Sequence, residues 1–313
     1  ALSAPQLAFL LEKLTDKLDL SYLEELTIEA NPGDLDEEKI AVLKDSPVNR
    51  VSLGVQTFND RMLKQIGRSH SEKDIYENIA NLKKAGFDNI SIDLIYALPK
   101  QTMEDVKTNV AKAIALDIPH MSLYSLILEN HTVFMNRMRR GKLPLPKEDL
   151  EAEMFDYIIA ELEKAGFEHY EISNFSKPGF ESRHNRGYWH MTPYLGLGAA
   201  AHGYVDGERW ANETDIPAYI RAVRAGTCIR TPEDGARTRA RAMEEYAFLA
   251  LRTAEGIDAA DFRRRWGRDL EEVYGAVIAH YAALGLLRRT AAGDALTEAG
   301  LKLGHEGFAA LLL

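Results

Sequence analysis

The sequence has a single cysteine, Cys228, among its 313 residues. One thiol excludes an internal disulfide and is typical of a reducing compartment, so we predict a cytoplasmic protein. It also excludes a metal centre or iron–sulfur cluster held only by cysteines of this sequence. No apolar run approaches the ~18–20 residues that a membrane span requires. A net charge of −10 argues against the phosphate backbone of a nucleic acid as the main partner.

Three short segments alternate between apolar and polar residues and predict β-strands. They are Leu26–Asn31, Val51–Gln56 and the segment NISIDLIYALPKQT, Asn89–Thr102, in which Ser91 and Asp93 interrupt the apolar pattern. Helical patterns separate them, which indicates parallel strands in a β/α array. Parallel strands are usually apolar on both faces, so the polar positions require an explanation.

We interpret the polar faces as the lining of a barrel whose interior is wet or filled by a ligand. An ordinary closed barrel fills this space with Val, Ile and Leu. The alternative is an antiparallel sheet with one face in water, which the intervening helices disfavour. The fold class predicted is therefore α/β, with a partial (β/α) barrel.

The remainder of the chain extends this pattern and then departs from it. The fragments KKAGFDNISID and EKAGFEHYEIS predict one helix–strand unit used twice, the second strand being His169–Ser173. Residues 129–146 are predicted to be a loop. Residues 174–205, rich in Gly, His and aromatic residues, break the array. Three helices and a hairpin near the C-terminus form a winged-helix pattern, which serves as a scaffold as often as it binds DNA.

Four polar side chains are candidates for one binding site at the carboxyl ends of the strands, where barrel enzymes place their sites. They are Glu29, Gln56, Arg68 and Asp93. The acids could hold hydroxyl or ammonium groups and the guanidinium a carboxylate, which suits a zwitterionic ligand that carries a ribose. The alternative for each residue alone is a buried polar group satisfied by its neighbours, or a surface ion pair.

The fragments EANPGD, RVSLGVQTF, GRSH and IDLIYALPKQT resemble those of the radical S-adenosylmethionine enzymes of the oxygen-independent coproporphyrinogen III oxidase family. The resemblance runs from the first helix to the end of the chain. It implies that Glu29, Gln56, Arg68 and Asp93 contact S-adenosylmethionine. Ala97 stands where the family has glycine, a change of little cost unless that residue needs a positive φ.

A second motif is similar to that of the haem chaperone (HemW) branch of this family. The residues His184-Asn185-Arg186-Gly187-Tyr188-Trp189 fit HNxxYW. An imidazole can ligate haem iron, so His184 is the candidate ligand, and the aromatic rings can pack against a macrocycle. The alternative is a core histidine with aromatic packing. His202 is a further imidazole, followed by Gly203 where the family usually has serine.

The family's CxxxCxxC segment, which holds a [4Fe–4S] cluster, has no counterpart in this sequence, and the chain begins on a helix. We therefore expect a fragment of a longer protein that by itself does no radical chemistry. The expected divisions are a truncated radical S-adenosylmethionine barrel (1–175), a connecting region with HNxxYW (176–230) and a winged-helix-like domain (231–313).

The resemblance implies that the intact protein contains S-adenosylmethionine and a [4Fe–4S] cluster, binds haem and passes it to a haem-dependent protein. Respiratory proteins are one candidate class of acceptor, and a homodimer and peripheral contact with membrane proteins are further expectations. Oxidative decarboxylation of coproporphyrinogen III and an inactive scaffold are the alternatives.

Overall fold

The computed structural model describes residues 2–227, 230–232 and 238–302. Cys228 lies outside the described residues, as does Leu303, the last residue of a C-terminal helix predicted from the sequence to span Glu298–Leu303. The chain divides into two compact units, one ending at Glu181 and one beginning at Ser182. The three-part division predicted from the sequence stays a prediction.

The first unit is a β/α array. Its helices are α1 (Ala4–Lys17), α2 (Glu37–Lys44), α3 (Asp60–Gln65), α4 (Glu72–Ala85), α5 (Met103–Ala115), α6 (Val133–Arg139) and α7 (Glu148–Lys164). Its strands are β1 (Thr27–Ala30), β2 (Arg50–Gln56), β3 (Ile90–Tyr96), β4 (His120–Ser125), β5 (Glu168–Glu171) and β6 (Asn174–Ser176).

Within residues 2–181 these strands form a six-stranded sheet in the order β1-β2-β3-β4-β6-β5. Strands β1 to β4 are parallel, as the alternation of helices and strands predicts. Strand β6 is antiparallel to both β4 and β5, so β5 has the same direction as β4. The second helix–strand unit, α7 and β5, is therefore followed by β6, which lies between β4 and β5 in the sheet.

Two sequence predictions for this unit were wrong in detail. Residues 129–146 are not all loop, because α6 forms there, with the Thr132 hydroxyl accepting a hydrogen bond from the N–H of Met135 at 3.2 Å. The predicted strand His169–Ser173 is a hairpin in which β5 ends at Glu171 and β6 begins at Asn174.

The helices of the first unit begin where short polar side chains cap them. Ser71 and Thr102 each form a capping box with an aspartate three residues later, at the starts of α4 and α5. These contacts satisfy N–H groups that have no partner within the helix. Apolar residues on the strands, such as Val51, Leu53 and Ile92, are fully buried. The core of this unit therefore lies on the apolar face of the sheet.

The second unit contains helices α8 (Arg183–Trp189), α9 (Ile216–Arg224), α10 (Arg239–Ala250), α11 (Ala259–Trp266), α12 (Leu270–Ala283) and α13 (Glu298–Lys302). Its strands are β7 (His202–Val205), β8 (Glu208–Asn212), β9 (Arg230–Pro232), β10 (Ile257–Asp258), β11 (Leu287–Arg289) and β12 (Gly293–Leu296). The described strands form two antiparallel three-stranded sheets, β7-β8-β9 and β10-β12-β11. The predicted C-terminal hairpin is the pair β11–β12.

Candidate functional sites on the sheet and on helix α8

Six residues, one on each strand and each paired with the next across neighbouring strands, form a row on the polar face of the first unit's sheet. In the order of the strands, the row consists of Glu29, Ser52, Ser91, His120, Ser176 and Glu168. Side chains of directly paired residues lie on the same face of a sheet. The polar positions that the sequence singled out on separate strands therefore share one face.

Asp93 lies on the same face as Ser91, one row nearer to the carboxyl ends of the strands. Burial raises the pKa of Asp93 and the nearby charge of Glu29 raises it further, while Ser122, Arg50 and Ser52 oppose the shift. The Ser52 hydroxyl donates to an Asp93 carboxylate oxygen at 3.4 Å. Glu29 and Asp93 are therefore close enough to interact electrostatically, and a cationic or hydroxyl-bearing ligand would relieve their repulsion.

Gln56 reaches this face through an unusual backbone conformation. The register of β2 and β3 shifts between Leu53 and Gln56, and Gln56 has a φ of 67°. Non-glycine residues adopt this region infrequently. The side-chain amide is turned back over Gly54, so that a Cβ built on Gly54 would lie 2.9 Å from Nε2 of Gln56. Glycine at this position leaves the space that the amide occupies.

Arg68 completes this group from the segment that follows α3. Its guanidinium donates to the side-chain oxygen of Asn31, and both groups lie near Gly54, at 3.8 and 3.3 Å from the position of a Cβ there. Asn31 and Gly54 were not singled out from the sequence. The signal that could have identified Gly54 is its place between Ser52 and Gln56 in a strand, where glycine often marks a close approach.

A buried network at the amino-terminal side of the polar face also escaped the sequence analysis. His120 Nδ1 lies 2.7 Å from the Ser91 hydroxyl and 3.3 Å from an Arg50 nitrogen, and its Nε2 lies 2.7 Å from the Tyr170 hydroxyl. Burial lowers the pKa of His120 well below its usual value, and the charge of Arg50 lowers it further. His120 is therefore neutral at physiological pH. No pattern along the chain predicts that these residues meet.

The HNxxYW motif forms helix α8 in the second unit. Ser182 caps the helix by accepting a hydrogen bond from the N–H of Asn185. His184 and Tyr188, one turn apart, are exposed on the same side, with His184 Nε2 2.7 Å from the Tyr188 hydroxyl. His184 is not a core histidine, so that alternative is excluded for this residue.

Aromatic packing extends from α8 into the segment before β7. The ring of Tyr188 meets that of Tyr194 edge-on with 4.7 Å between centroids. Tyr194 pairs in turn with Tyr204 of β7 through an isolated β-bridge. His202 lies two residues before Tyr204 on the same strand and is exposed. The alternation of β7 places the side chains of His202 and Tyr204 on one face.

Trp189 is a partly buried residue of the motif. The Arg252 guanidinium stacks on its ring at 4.7 Å from the centroid. The Trp189 indole N–H is buried and has no hydrogen-bond partner among the described residues. Buried indole N–H groups usually find an acceptor, so this unsatisfied donor is an unusual feature of the motif.

The arrangement of parallel β/α units with a polar face and a separate C-terminal part defines the α/β fold of radical S-adenosylmethionine proteins. Residues 2–113 match the family model described as the Radical SAM superfamily, and residues 238–303 match the HemN C-terminal domain. A solved structure of the coproporphyrinogen III oxidase HemN from Escherichia coli, described as a radical SAM enzyme, matches with a TM-score of 0.82 and 21% identity. The match covers 99% of this chain and 75% of that chain. At this identity the likeness shows the fold alone.

Two relatives cover the whole chain. A heme chaperone HemW from Lactococcus lactis subsp. lactis (strain IL1403) is 49% identical over 312 residues, which are 100% of this chain and 82% of the relative. A heme chaperone HemW from Bacillus subtilis (strain 168) is 40% identical over 314 residues, with the same coverage. The chain therefore belongs to the HemW family, which confirms the fold class and the branch predicted from the sequence.

The described residues include no group of three or more His, Cys, Asp or Glu side chains placed to hold a metal ion. The one cysteine of the sequence cannot supply the three thiolates that a [4Fe–4S] cluster needs. The residues present therefore do not fit the cluster. In the part of the chain that the structure describes, no helix combines the length and apolarity needed to cross a bilayer.

Proposed function

We propose that this protein binds haem and delivers it to a haem-dependent protein. The observation that carries the proposal is the exposed His184 on a capped helix beside Tyr188, within a motif that the chain carries as a HemW family member. The names of the relatives support the same activity. Respiratory proteins as acceptors, a homodimer, peripheral contact with membrane proteins and a cytoplasmic location are parts of this proposal.

The geometry of α8 defines what ligation by His184 would require. Nε2 of His184 is engaged by the Tyr188 hydroxyl at 2.7 Å. If iron binds this nitrogen, the Tyr188 hydroxyl must move away. Rotation of the Tyr188 side chain would then expose the ring surface that Tyr188 and Tyr194 now bury against each other. The two rings and Trp189 then offer apolar surface to a macrocycle.

Loss of haem ligation in His184→Ala tests this proposal. Titration of the protein with hemin should give a shifted Soret band, and we expect the shift to be absent in this variant. His280→Ala is the matched control, because His280 is exposed on α12, outside the motif. The same Soret shift in His184→Ala as in the wild type would remove His184 as the ligand.

The second part of the proposal is that the polar face of the first unit binds S-adenosylmethionine. Arg68 would take the methionine carboxylate, Glu29 and Asp93 the hydroxyl or ammonium groups, and Gln56 would donate or accept through its amide. The proposal is supported by the convergence of the polar ends of Gln56, Asn31 and Arg68 above Gly54. When bound in radical enzymes of this fold, S-adenosylmethionine with its cluster supplies one-electron chemistry, but the residues of this chain provide only the binding surface.

Equilibrium dialysis with S-adenosylmethionine tests this second part. We expect Arg68→Gln to weaken binding about tenfold or more, the usual consequence of losing a charge-assisted hydrogen bond. Arg61→Gln is the matched control, since Arg61 is an exposed arginine of α3 with the same charge. Equal affinities of the two variants would exclude Arg68 from the site.

A further inference from the structure

The segment between β4 and α7 combines exposed apolar side chains with a cluster of positive charge. We call residues 126–147 the rim segment. It contains five Arg and Lys residues and one acid, Glu129, in a protein whose net charge is −10. Its bases are Arg137, Arg139, Arg140, Lys142 and Lys147, and all are exposed.

The rim segment lies at the carboxyl edge of the sheet, the edge that carries the proposed S-adenosylmethionine site. The N–H of Leu126 donates to the carbonyl of Tyr96 at the end of β3, at 3.1 Å. The N–H of Lys100, in the loop after β3, donates to the carbonyl of Pro144 at 3.0 Å. Both ends of the segment are therefore fixed to the loops that follow the strands.

The segment is also organised internally. Arg139 donates to the Asn130 side-chain oxygen at 2.8 Å, and the N–H of Lys142 donates to the Arg137 carbonyl at 2.9 Å. Within the described residues, Arg137, Arg140 and Lys142 take part in none of the ion pairs. These three bases lie within six residues of chain and are not ion-paired with a carboxylate among the described residues.

Apolar side chains lie among these charges. Ile127 is 75% exposed and Val133 is 65% exposed, and Met138 and Leu145 are also exposed. Exposed apolar patches beside polar groups commonly mark binding surfaces. A ligand that satisfies both features must carry a broad apolar body and at least two anionic groups.

We propose that the rim segment binds the propionate-bearing edge of a tetrapyrrole, with Arg137 and Arg140 contacting the carboxylates. Arginine is suited to this role because its planar guanidinium pairs with a carboxylate through two parallel hydrogen bonds. Ile127 and Val133 contact the apolar face of the macrocycle. The inference rests on the proposed function only for the class of ligand, and it assigns a binding surface to the first unit.

Metal-free protoporphyrin IX and its dimethyl ester test this assignment without iron ligation. The two molecules share the macrocycle and differ in the carboxylates. Porphyrin fluorescence anisotropy should show that Arg137→Gln/Arg140→Gln weakens binding of the diacid about tenfold, the scale of losing charged hydrogen bonds, and leaves binding of the ester unchanged. Ile127→Ser/Val133→Ser should weaken binding of both molecules.

The matched control is Lys44→Gln/Lys84→Gln, which makes the same charge change at exposed last-turn residues of α2 and α4. Those helix ends precede β2 and β3 and so lie at the opposite edge of the sheet. Equal weakening of diacid binding by the two double variants, or equal weakening of diacid and ester binding by the arginine variant, would overturn the proposal. His184→Ala should not change binding of the metal-free diacid, so failure of the haem ligation proposal is distinguishable from failure of this one.

Discussion

The contact between Gly203 and Trp210 predicts that a side chain at position 203 is destabilising. The two residues are cross-strand partners in β7 and β8. A Cβ built on Gly203 would lie 2.2 Å from Cζ2 and 2.4 Å from Cε2 of the Trp210 ring. Serine, usual in the family at this position, cannot be accommodated here unless the indole moves.

The size of the effect follows from the distances. Non-bonded carbons approach to about 3.5–4.0 Å, so the ring must move by more than about 1 Å. Overpacking of this kind costs about 1–3 kcal/mol, and the serine hydroxyl would add about 1–3 kcal/mol if it found no partner. The Arg230 guanidinium also packs on the Trp210 ring, at 4.5 Å from the centroid, so movement of the ring would disturb this contact. We expect Gly203→Ser to lower the free energy of unfolding of the second unit by about 2–4 kcal/mol.

Urea unfolding followed by tryptophan fluorescence measures this change, because Trp189, Trp210 and Trp266 all lie in the second unit. In a double-mutant cycle, Gly203→Ser should cost about 1–3 kcal/mol less in a Trp210→Leu background. Gly275→Ala is the control: it lies within α12 and its new Cβ meets only the flexible Glu271 side chain, so it should be neutral or stabilising. Additive effects of Gly203→Ser and Trp210→Leu would refute the steric explanation.

Two further predictions concern the first unit, which has no tryptophan and is followed by far-ultraviolet circular dichroism. Ala97 has a φ of 57°, so Ala97→Gly should stabilise the unit by about 1 kcal/mol; a lower melting temperature would contradict this reasoning. Because the pKa of His120 is depressed in the folded state, protonation of this residue favours the unfolded state. The contribution of neutral His120 to the free energy of unfolding is therefore complete above the unfolded pKa of about 6.5 and is lost as the pH falls below that value. The free energy of unfolding should thus decrease through this residue as the pH falls from about 7.5 to about 5.5. His120→Gln should remove that part of the pH dependence, and an unchanged pH dependence would show that His120 does not titrate on unfolding.

The sequence was sufficient to predict the parallel strands and the face on which Glu29 and Asp93 meet. A period of two in a strand fixes which side chains share a face, and breakers fix where the strand ends. The caps Ser71 and Thr102 were not singled out, although a hydroxyl followed three residues later by an acid is a local signal. These features depend only on residues close together in the chain.

Features that depend on distant residues could not be predicted. The turn of the Gln56 side chain over Gly54 arises from a register shift against β3, which has no local signature. Helix α6 was missed because Gly141 and the prolines at 144 and 146 made the surrounding segment resemble a loop. The insertion of β6 beside β4 was missed because a three-residue strand carries too little periodicity to be recognised.

The antiparallel strand β6 has a consequence for how the first unit ends. On this side the sheet ends in the β5–β6 hairpin, whose outer strand, β5, forms the edge. The outer strand, β5, is only four residues long and carries the exposed acid Glu168. Short, charged edges discourage pairing with another polypeptide. The hairpin thus gives this side of the sheet a short, charged edge that discourages the addition of foreign strands.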